Sequence, residues 1–213
     1  ISRWHKAGMV KAFSVKTASG VHCGRIIRPI QRVGLYIPAG SAPLPSTVMM
    51  LAIPAKLAGC PEVVLCSPPQ ADGSIDAAIL VAAKLCGVSK IYKTGGAQAI
   101  AAMSFGTKSI PRCDKLFGPG NAYVSTAKMI VQAMPNGPAI DMPAGPSEVL
   151  VIVDAQSNAA FAAADLLAQA EHDPLASPIL LTTSPELAER VADEIMEQLP
   201  QLSRQAIALA AFE

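Results

Sequence analysis

Residues 32–67 read RVGLYIPAGSAPLPSTVMMLAIPAKLAGCPEVVLCS, and this stretch decides the fold. Val33–Ile37 is a short apolar run, the pattern of a strand buried on both faces. It opens into Pro38-Ala39-Gly40-Ser41-Ala42-Pro43, a loop of small residues. Ser46 or Thr47 is expected to cap a helix that runs to Leu57 and is ended by Gly59. Val63–Cys66 is then a second strand. Strand, loop, helix and strand in so short a span make a parallel crossover unit rather than a hairpin.

The alternation continues downstream. Asp72–Cys86 reads as a helix closed by Gly87, and Lys90–Lys93 as a strand followed by Thr94-Gly95-Gly96-Ala97-Gln98 and a helix to about Ser104. Lys115–Phe117 is a strand that meets Gly118-Pro119-Gly120-Asn121, and a helix follows from Tyr123 to about Met134. Ala139–Asp141 is a last short strand. Apolar strands alternating with helices predict an α/β fold with a doubly wound, Rossmann-like parallel sheet. Each strand ends in a loop of Gly, Ser, Asn or Gln. In open α/β sheets ligands bind outside those ends, where helix N-termini also present free amides. Tyr36, Gln98 and Asn121 are therefore expected on one ligand rim. Tight turns would explain the same glycines, because the G-x-G-x-x-G fingerprint is absent. No G-x-x-x-x-G-K-[ST] segment occurs, which argues against a P-loop nucleotidase.

Upstream, residues 1 to about 31 are mixed and polar, with turn signals at Ser19-Gly20 and Arg28-Pro29. A short helix around Trp4 and an irregular or hairpin-like stretch near Val21–Ile27 are expected there, with His5 and His22 at the surface or in local packing. A second block opens at Met142-Pro143-Ala144-Gly145-Pro146-Ser147-Glu148. It holds an apolar strand Val149–Val153, a helix Asn158–Ala170, a strand Ile179–Thr182 and a helix Pro185–Leu199 with Leu187, Val191, Ile195 and Leu199 on one face. Ser203–Phe212 begins another helix. A block of this size is only part of a sheet. The expected organisation is an N-terminal segment 1–33 belonging to or leading into the second domain, a Rossmann-like domain 34–146, and an incomplete second α/β domain 147–213.

Near the end of the helix in that second block lies Gln169-Ala170-Glu171-His172. On a helix, Gln169 and His172 share one face. They would point an oxygen and an imidazole nitrogen the same way, half of a possible metal site. A histidine near a helix C-terminus, favoured there by the dipole, is the plainer account.

Composition narrows the classes. The chain has 213 residues, 51% hydrophobic and 4% aromatic, with a formal net charge of +1. It carries no basic block, so neither nucleic acid nor a membrane surface is an expected partner. The mean hydropathy is positive, +0.38, but the greasiest stretches, Val48–Leu57 and Ile75–Leu85, are interrupted or too short to span a bilayer. The start, Ile1-Ser2-Arg3-Trp4-His5-Lys6, has no apolar core after its charges and is no signal peptide. It also lacks an initiator methionine, so the chain is expected to begin inside a longer reading frame. Five cysteines, none in a C-x-x-C pair, suit free thiols in a reducing cytoplasm. Cys60 and Cys66 flank a strand and read as packing residues.

Five ordered blocks carry a family resemblance. They are RVGLYIPAGSAPLPSTVMMLAIPAKLAGCPEVVLCSPP, TGGAQAIAAMSFGT, DKLFGPGNAYV, IDMPAGPSEVLV and DLLAQAEHD. On these, the chain resembles the histidinol dehydrogenases, NAD-dependent zinc enzymes of the last two oxidations in histidine biosynthesis. The resemblance implies that Tyr36, Gln98 and Asn121 contact NAD, that Ser147 contacts substrate, and that Gln169 and His172 are zinc ligands bordering the substrate. It implies L-histidinol as the small-molecule substrate, oxidised through a bound aldehyde by two hydride transfers. It also implies a cytoplasmic homodimer with sites completed across the interface.

The family's Glu-His bases, a further Asp zinc ligand and a late His ligand have no match here, and no Gly-Pro-Glu-His segment occurs. Glu171 would point to another helix face, and Glu148 lies on a strand expected to bury or pair it. Neither is assigned as a base. Alcohol oxidation needs a base for the hydroxyl proton, so this chain is expected to be an inactive part of the longer enzyme. Two other readings stand beside it: a catalytically silent cofactor-binding or subunit-interaction module, and a family relative oxidising another small polar alcohol.

Overall fold

The computed structural model describes residues 1–39, 43–143 and 147–212. Two compact units emerge, Ile1–Ala144 and Gly145–Glu213. The expected loop residues Gly40, Ser41 and Ala42, and Ala144, Gly145 and Pro146 at the start of the second block, lie outside the described residues.

The first unit begins with α1 (Ser2–Ala7) and an antiparallel hairpin of β1 (Phe13–Ala18) and β2 (Val21–Arg25), joined at the Ser19-Gly20 turn. Every residue of both hairpin strands is exposed. The crossover unit follows as β3 (Arg32–Tyr36), α2 (Pro45–Leu57) and β4 (Glu62–Ser67). Then come α3 (Ala77–Cys86), β5 (Lys90–Lys93), α4 (Gly96–Phe105), β6 (Lys115–Phe117), α5 (Ala122–Ala133) and β7 (Ala139–Ile140).

The five strands from β3 to β7 form one parallel sheet in the order β5-β4-β3-β6-β7. The chain runs outward from β3 to β5, then returns to the other side of β3 with β6 and β7. That reversal is the topological switch of a doubly wound sheet. Alternation along the strands serves two covers. Val33, Leu35 and Leu65 pack with Val48 and Ala52 of α2 and Ile79 of α3, while Tyr36, Val64, Cys66 and Leu116 pack with Ile100 and Met103 of α4 and Val124 and Val131 of α5. The doubly wound α/β reading is thus what the chain adopts.

Local chemistry sets the helix ends. Asp76 accepts from the Ala78 amide at 2.8 Å, and Gly87, at φ 80°, closes α3 in the left-handed region that suits glycine. The helix expected from Asp72 therefore starts at Ala77. Asp72 instead accepts from the Ser74 amide in the preceding turn. Likewise, neither Ser46 nor Thr47 caps α2: Pro45 at the first position starts it two or three residues earlier, and its N-cap is Leu44 with no side-chain bond.

The second unit holds β8 (Glu148–Val153), α6 (Ala159–Ala170), β9 (Ser177–Thr182), α7 (Pro185–Gln198), a 3₁₀ turn Leu199–Gln201 and α8 (Gln205–Ala210). β8 and β9 pair in parallel as a two-stranded sheet. Asn158 caps α6, accepting from the Ala160 and Phe161 amides, and Ser184 caps α7 through the Leu187 amide. α6 and α7 meet through Ala159, Ala162, Ala163, Leu166, Leu187 and Val191, with Val149, Val151 and Val153 beneath them. Among the described residues no helix is long and apolar enough to cross a membrane.

Candidate functional site

The switch point of the first unit lies between β3 and β6. β3 delivers Tyr36, which is 4% exposed. Its hydroxyl accepts a hydrogen bond from the Gly96 amide at 3.1 Å, in the first turn of α4. One side chain thereby ties the end of β3 to the turn after β5. Burial pushes the phenol's pKa upward, against the pull of the Gly96 amide, so Tyr36 is a neutral hydroxyl.

The turn after β6 approaches the same tyrosine from the other side. Gly118 has φ +128°, and a Cβ there would collide with the Tyr36 carbonyl. Only glycine permits that approach in that conformation. The turn after β5 packs in turn on the end of β4, since a Cβ on Gly95 would fall 2.7 Å from the Pro68 side chain. Ser67, fully buried, donates its hydroxyl to the Ile37 carbonyl at 3.0 Å and binds the ends of β3 and β4 together. The end of β3 and the turns after β5 and β6 are therefore neighbours.

Gln98 is exposed in the first turn of α4. Asn121 is exposed and caps α5: its Oδ1 accepts from the Val124 amide at 3.1 Å, which leaves Nδ2 for a ligand. Beneath the turn, Lys128 is 1% exposed, and its Nζ donates to the carbonyls of Gly118 at 2.9 Å and Met142 at 3.1 Å and to Asp141 Oδ1. Asp141 Oδ2 accepts from the Gly118 amide at 2.8 Å. Sequence reading missed this pair. The available signal was a lysine on the apolar stripe of α5 between Val124 and Val131.

These groups suit a dinucleotide: the switch point of a parallel sheet, two helix N-termini, amide side chains and a neutral hydroxyl. A cavity of about 610 Å³ opens at the opposite edge of the sheet, lined in part by Lys56, Cys60, Glu62, Cys86 and Lys90. It is far from the strand ends where such folds bind ligands, and two of its charges, Glu62 and Lys90, are paired with each other. The five cysteines are free thiols. Burial raises Cys66 and Cys113 to about 12, so neither is a nucleophile at neutral pH.

In the second unit, Ser147 is exposed just before β8, and its carbonyl accepts from the Ser177 amide at 3.3 Å. Gln169 is half-buried in the last turn of α6. His172 is exposed and lies beyond that helix, not on it. α6 ends at Ala170 because Asp173 precedes Pro174, which bars it from helical geometry. The His172 amide still bonds the Gln169 carbonyl at 3.1 Å, and its own carbonyl accepts from Arg204 Nη2 at 3.3 Å. Glu148, expected to be buried or paired, is exposed at the start of β8. It shares with Leu150 and Ile152 the strand face that α6 and α7 do not cover.

Among the described residues no three His, Cys, Asp or Glu side chains form a metal group. Gln169 and His172 offer two donors, short of the three protein ligands that hold a catalytic zinc. The residues of this unit alone do not fit a zinc ion.

The sequence model of the histidinol dehydrogenase family matches residues 1–213. The histidinol dehydrogenase of Xanthomonas euvesicatoria is 61% identical over 212 residues, which is 100% of this chain and 49% of that protein. That of Vibrio parahaemolyticus is 56% identical and 48% covered. The crystal structure of histidinol dehydrogenase from Elizabethkingia anophelis superposes with a TM-score of 0.93 at 52% identity, over 99% of this chain and 48% of that one. A structure described as the putative aldehyde dehydrogenase PutA from Anabaena variabilis has a TM-score of 0.58 at 17% identity, a likeness of fold alone. The chain spans about half the length of the curated relatives it matches.

Proposed function

The chain belongs to the histidinol dehydrogenase family, and on that premise we propose that it supplies the NAD-binding domain and half of the substrate site of an enzyme that oxidises L-histidinol to L-histidine. The observation that carries this reading is the meeting of the end of β3 with the turns after β5 and β6, joined through Tyr36. Tyr36, Gln98 and Asn121 would hold the dinucleotide. Asn121 contributes Nδ2 while its Oδ1 keeps α5 capped, and Gln98 reaches the rim from the start of α4. NAD, when bound, accepts the hydride. The chain's own part is to fix where the dinucleotide lies, and orientation is a large share of the barrier in such a transfer.

In the second unit, Ser147 would contact substrate, and Gln169 and His172 would border it as two of the zinc ligands. Because two donors do not make the site, no step is assigned to the metal here. Nor do Glu148 and Glu171 supply the base that alcohol oxidation needs: the one is exposed at a strand start and the other is the C-cap residue of α6. This chain alone is therefore proposed to be inactive. Domain limits at 34–146 and 147–213, a homodimer in the full-length enzyme and a cytoplasmic location complete the proposal; the free thiols support the last.

Calorimetric titration of NAD into the purified chain, with a parallel assay of NADH formation on L-histidinol, tests both halves. Saturable NAD binding without NADH formation is expected. No binding would overturn the cofactor assignment, and NADH formation would overturn the inactivity.

A further inference from the structure

A fully buried lysine is rare, and replacing a buried ion pair by apolar side chains often leaves stability unchanged. Asp141 itself is exposed while Lys128 is buried, so stability alone is a weak reason for the lysine to stand in the core at the rim. Their bonds suggest another. Asp141 Oδ2 holds the N–H of Gly118 at 2.8 Å, and Lys128 Nζ holds the C=O of the same residue at 2.9 Å. One ion pair thus grips both sides of the residue whose φ of +128° lets the turn close on Tyr36. The same ammonium bonds the Met142 carbonyl, and Asp141 Oδ1 accepts from the Met142 amide at 2.7 Å. Three acceptors use all three hydrogens of the ammonium. Lys128 thus has no hydrogen left for a phosphate and does not act as a ligand.

We propose that Lys128 and Asp141 are positioning residues that lock the Gly118–Asn121 turn in the shape that receives the dinucleotide. The proposal rests on the NAD reading above. It separates shape from charge: the lysine nearest the turn serves the cofactor through the backbone of Gly118 and never touches it. Without the pair, Gly118 can relax out of the left-handed region, and Asn121 moves with it.

The test uses two variants. Lys128→Met with Asp141→Leu removes both charges together and is expected to fold, because no unpaired charge remains. Lys128→Met alone removes the bond to the Gly118 carbonyl, leaves only the exposed Asp141 unpaired, and carries the test if the double variant does not fold. In the folded variants, NAD affinity by calorimetry should fall by about tenfold or more, the worth of one to two lost positioning bonds. Amide hydrogen exchange at Gly118 and Asn121 should quicken while exchange in β4 stays as in the wild type. A merely structural pair predicts that the double variant, once folded, binds NAD as the wild type does, and that result overturns the proposal. Failure of the wild-type chain to bind NAD overturns the functional reading and this proposal with it. Wild-type binding that the variants retain overturns this proposal alone.

Discussion

The two sheets of this chain are built from strands of similar greasiness but are finished differently. In the first unit five parallel strands have helices on both faces, and Val33, Leu35, Leu65 and Leu116 are buried whichever face they point to. In the second, β8 and β9 turn Val149, Val151 and Val153 toward α6 and α7. Their other face is bare: Leu150, Ile152, Ile179 and Leu181 are 52%, 70%, 48% and 53% exposed. Apolar residues on both faces are the mark of a strand meant to be covered twice, and exposed apolar patches are where proteins commonly meet partners. The difference extends to the candidate site. The first unit brings the end of β3 and two turns together, whereas the second offers two donors near one helix end.

The sharpest way to break the comparison is at the switch point. Gly118→Val adds a side chain where φ is +128° and where the Tyr36 carbonyl already stands. Clash and backbone strain together should cost about 4 kcal/mol or more, measured by urea denaturation of the first unit's signal. Near-wild-type stability would mean that the end of β3 and the turn after β6 do not meet as described.

Next in size is a matched pair of leucines. Leu116→Ala empties a fully buried position in β6 and should cost about 2–5 kcal/mol. Leu181→Ala, on the bare face of β9, should stay within about 0.5 kcal/mol. Equal losses at both would show that the outer face of β8 and β9 is covered in solution, and sedimentation would then say whether by a second copy.

The same contrast explains what the sequence made legible. Elements with local punctuation read well: Gly87 closes α3, Asn121 caps α5 and Asn158 caps α6. β1, FSVKTA, gave no signal, because it is exposed along its whole length and has no buried face to impose alternation. The start of α2 was misplaced because Pro45 outweighed the hydroxyls of Ser46 and Thr47. For the candidate site, the residue types on the rim could be read, since strand ends and glycines mark it. The Lys128–Asp141 pair could not. It joins different elements and is explained only by the carbonyls it satisfies. His172 fell off its helix for the local reason of Pro174.

Smaller effects probe each unit through its caps. Asp76→Ala removes the acceptor at the start of α3, and Asn158→Ala removes it at the start of α6. Each should cost about 1 kcal/mol. Because the second unit has the smaller core, the same loss should lower its thermal midpoint further, read by calorimetry on the two variants. An equal shift for both would mean that the units unfold as one cooperative block.

The weakest expected effect is one of pH, and it sits at the edge of the first sheet away from the rim. Glu62 at the start of β4 bonds Lys90 of β5 and Arg32 of β3, and these bonds, Lys90 first, hold its carboxyl below the usual range. A carboxyl depressed in the folded state adds stability above its unfolded pKa and loses it as pH falls through the folded value. The contribution should therefore be whole at pH 7 and decline below about pH 4.5. The group is partly open to water, so solvent screening limits it to about 1 kcal/mol or less. Glu62→Gln should lower stability slightly at pH 7 and by a shrinking margin toward pH 3, in denaturation series at matched ionic strength. A margin that widened on acidification would reverse the sign and place the tie between β3, β4 and β5 elsewhere. Substitutions at the apolar Leu150, Ile152, Ile179 and Leu181 on the bare face of β8 and β9 remove no titrating group and should show no such acid limb.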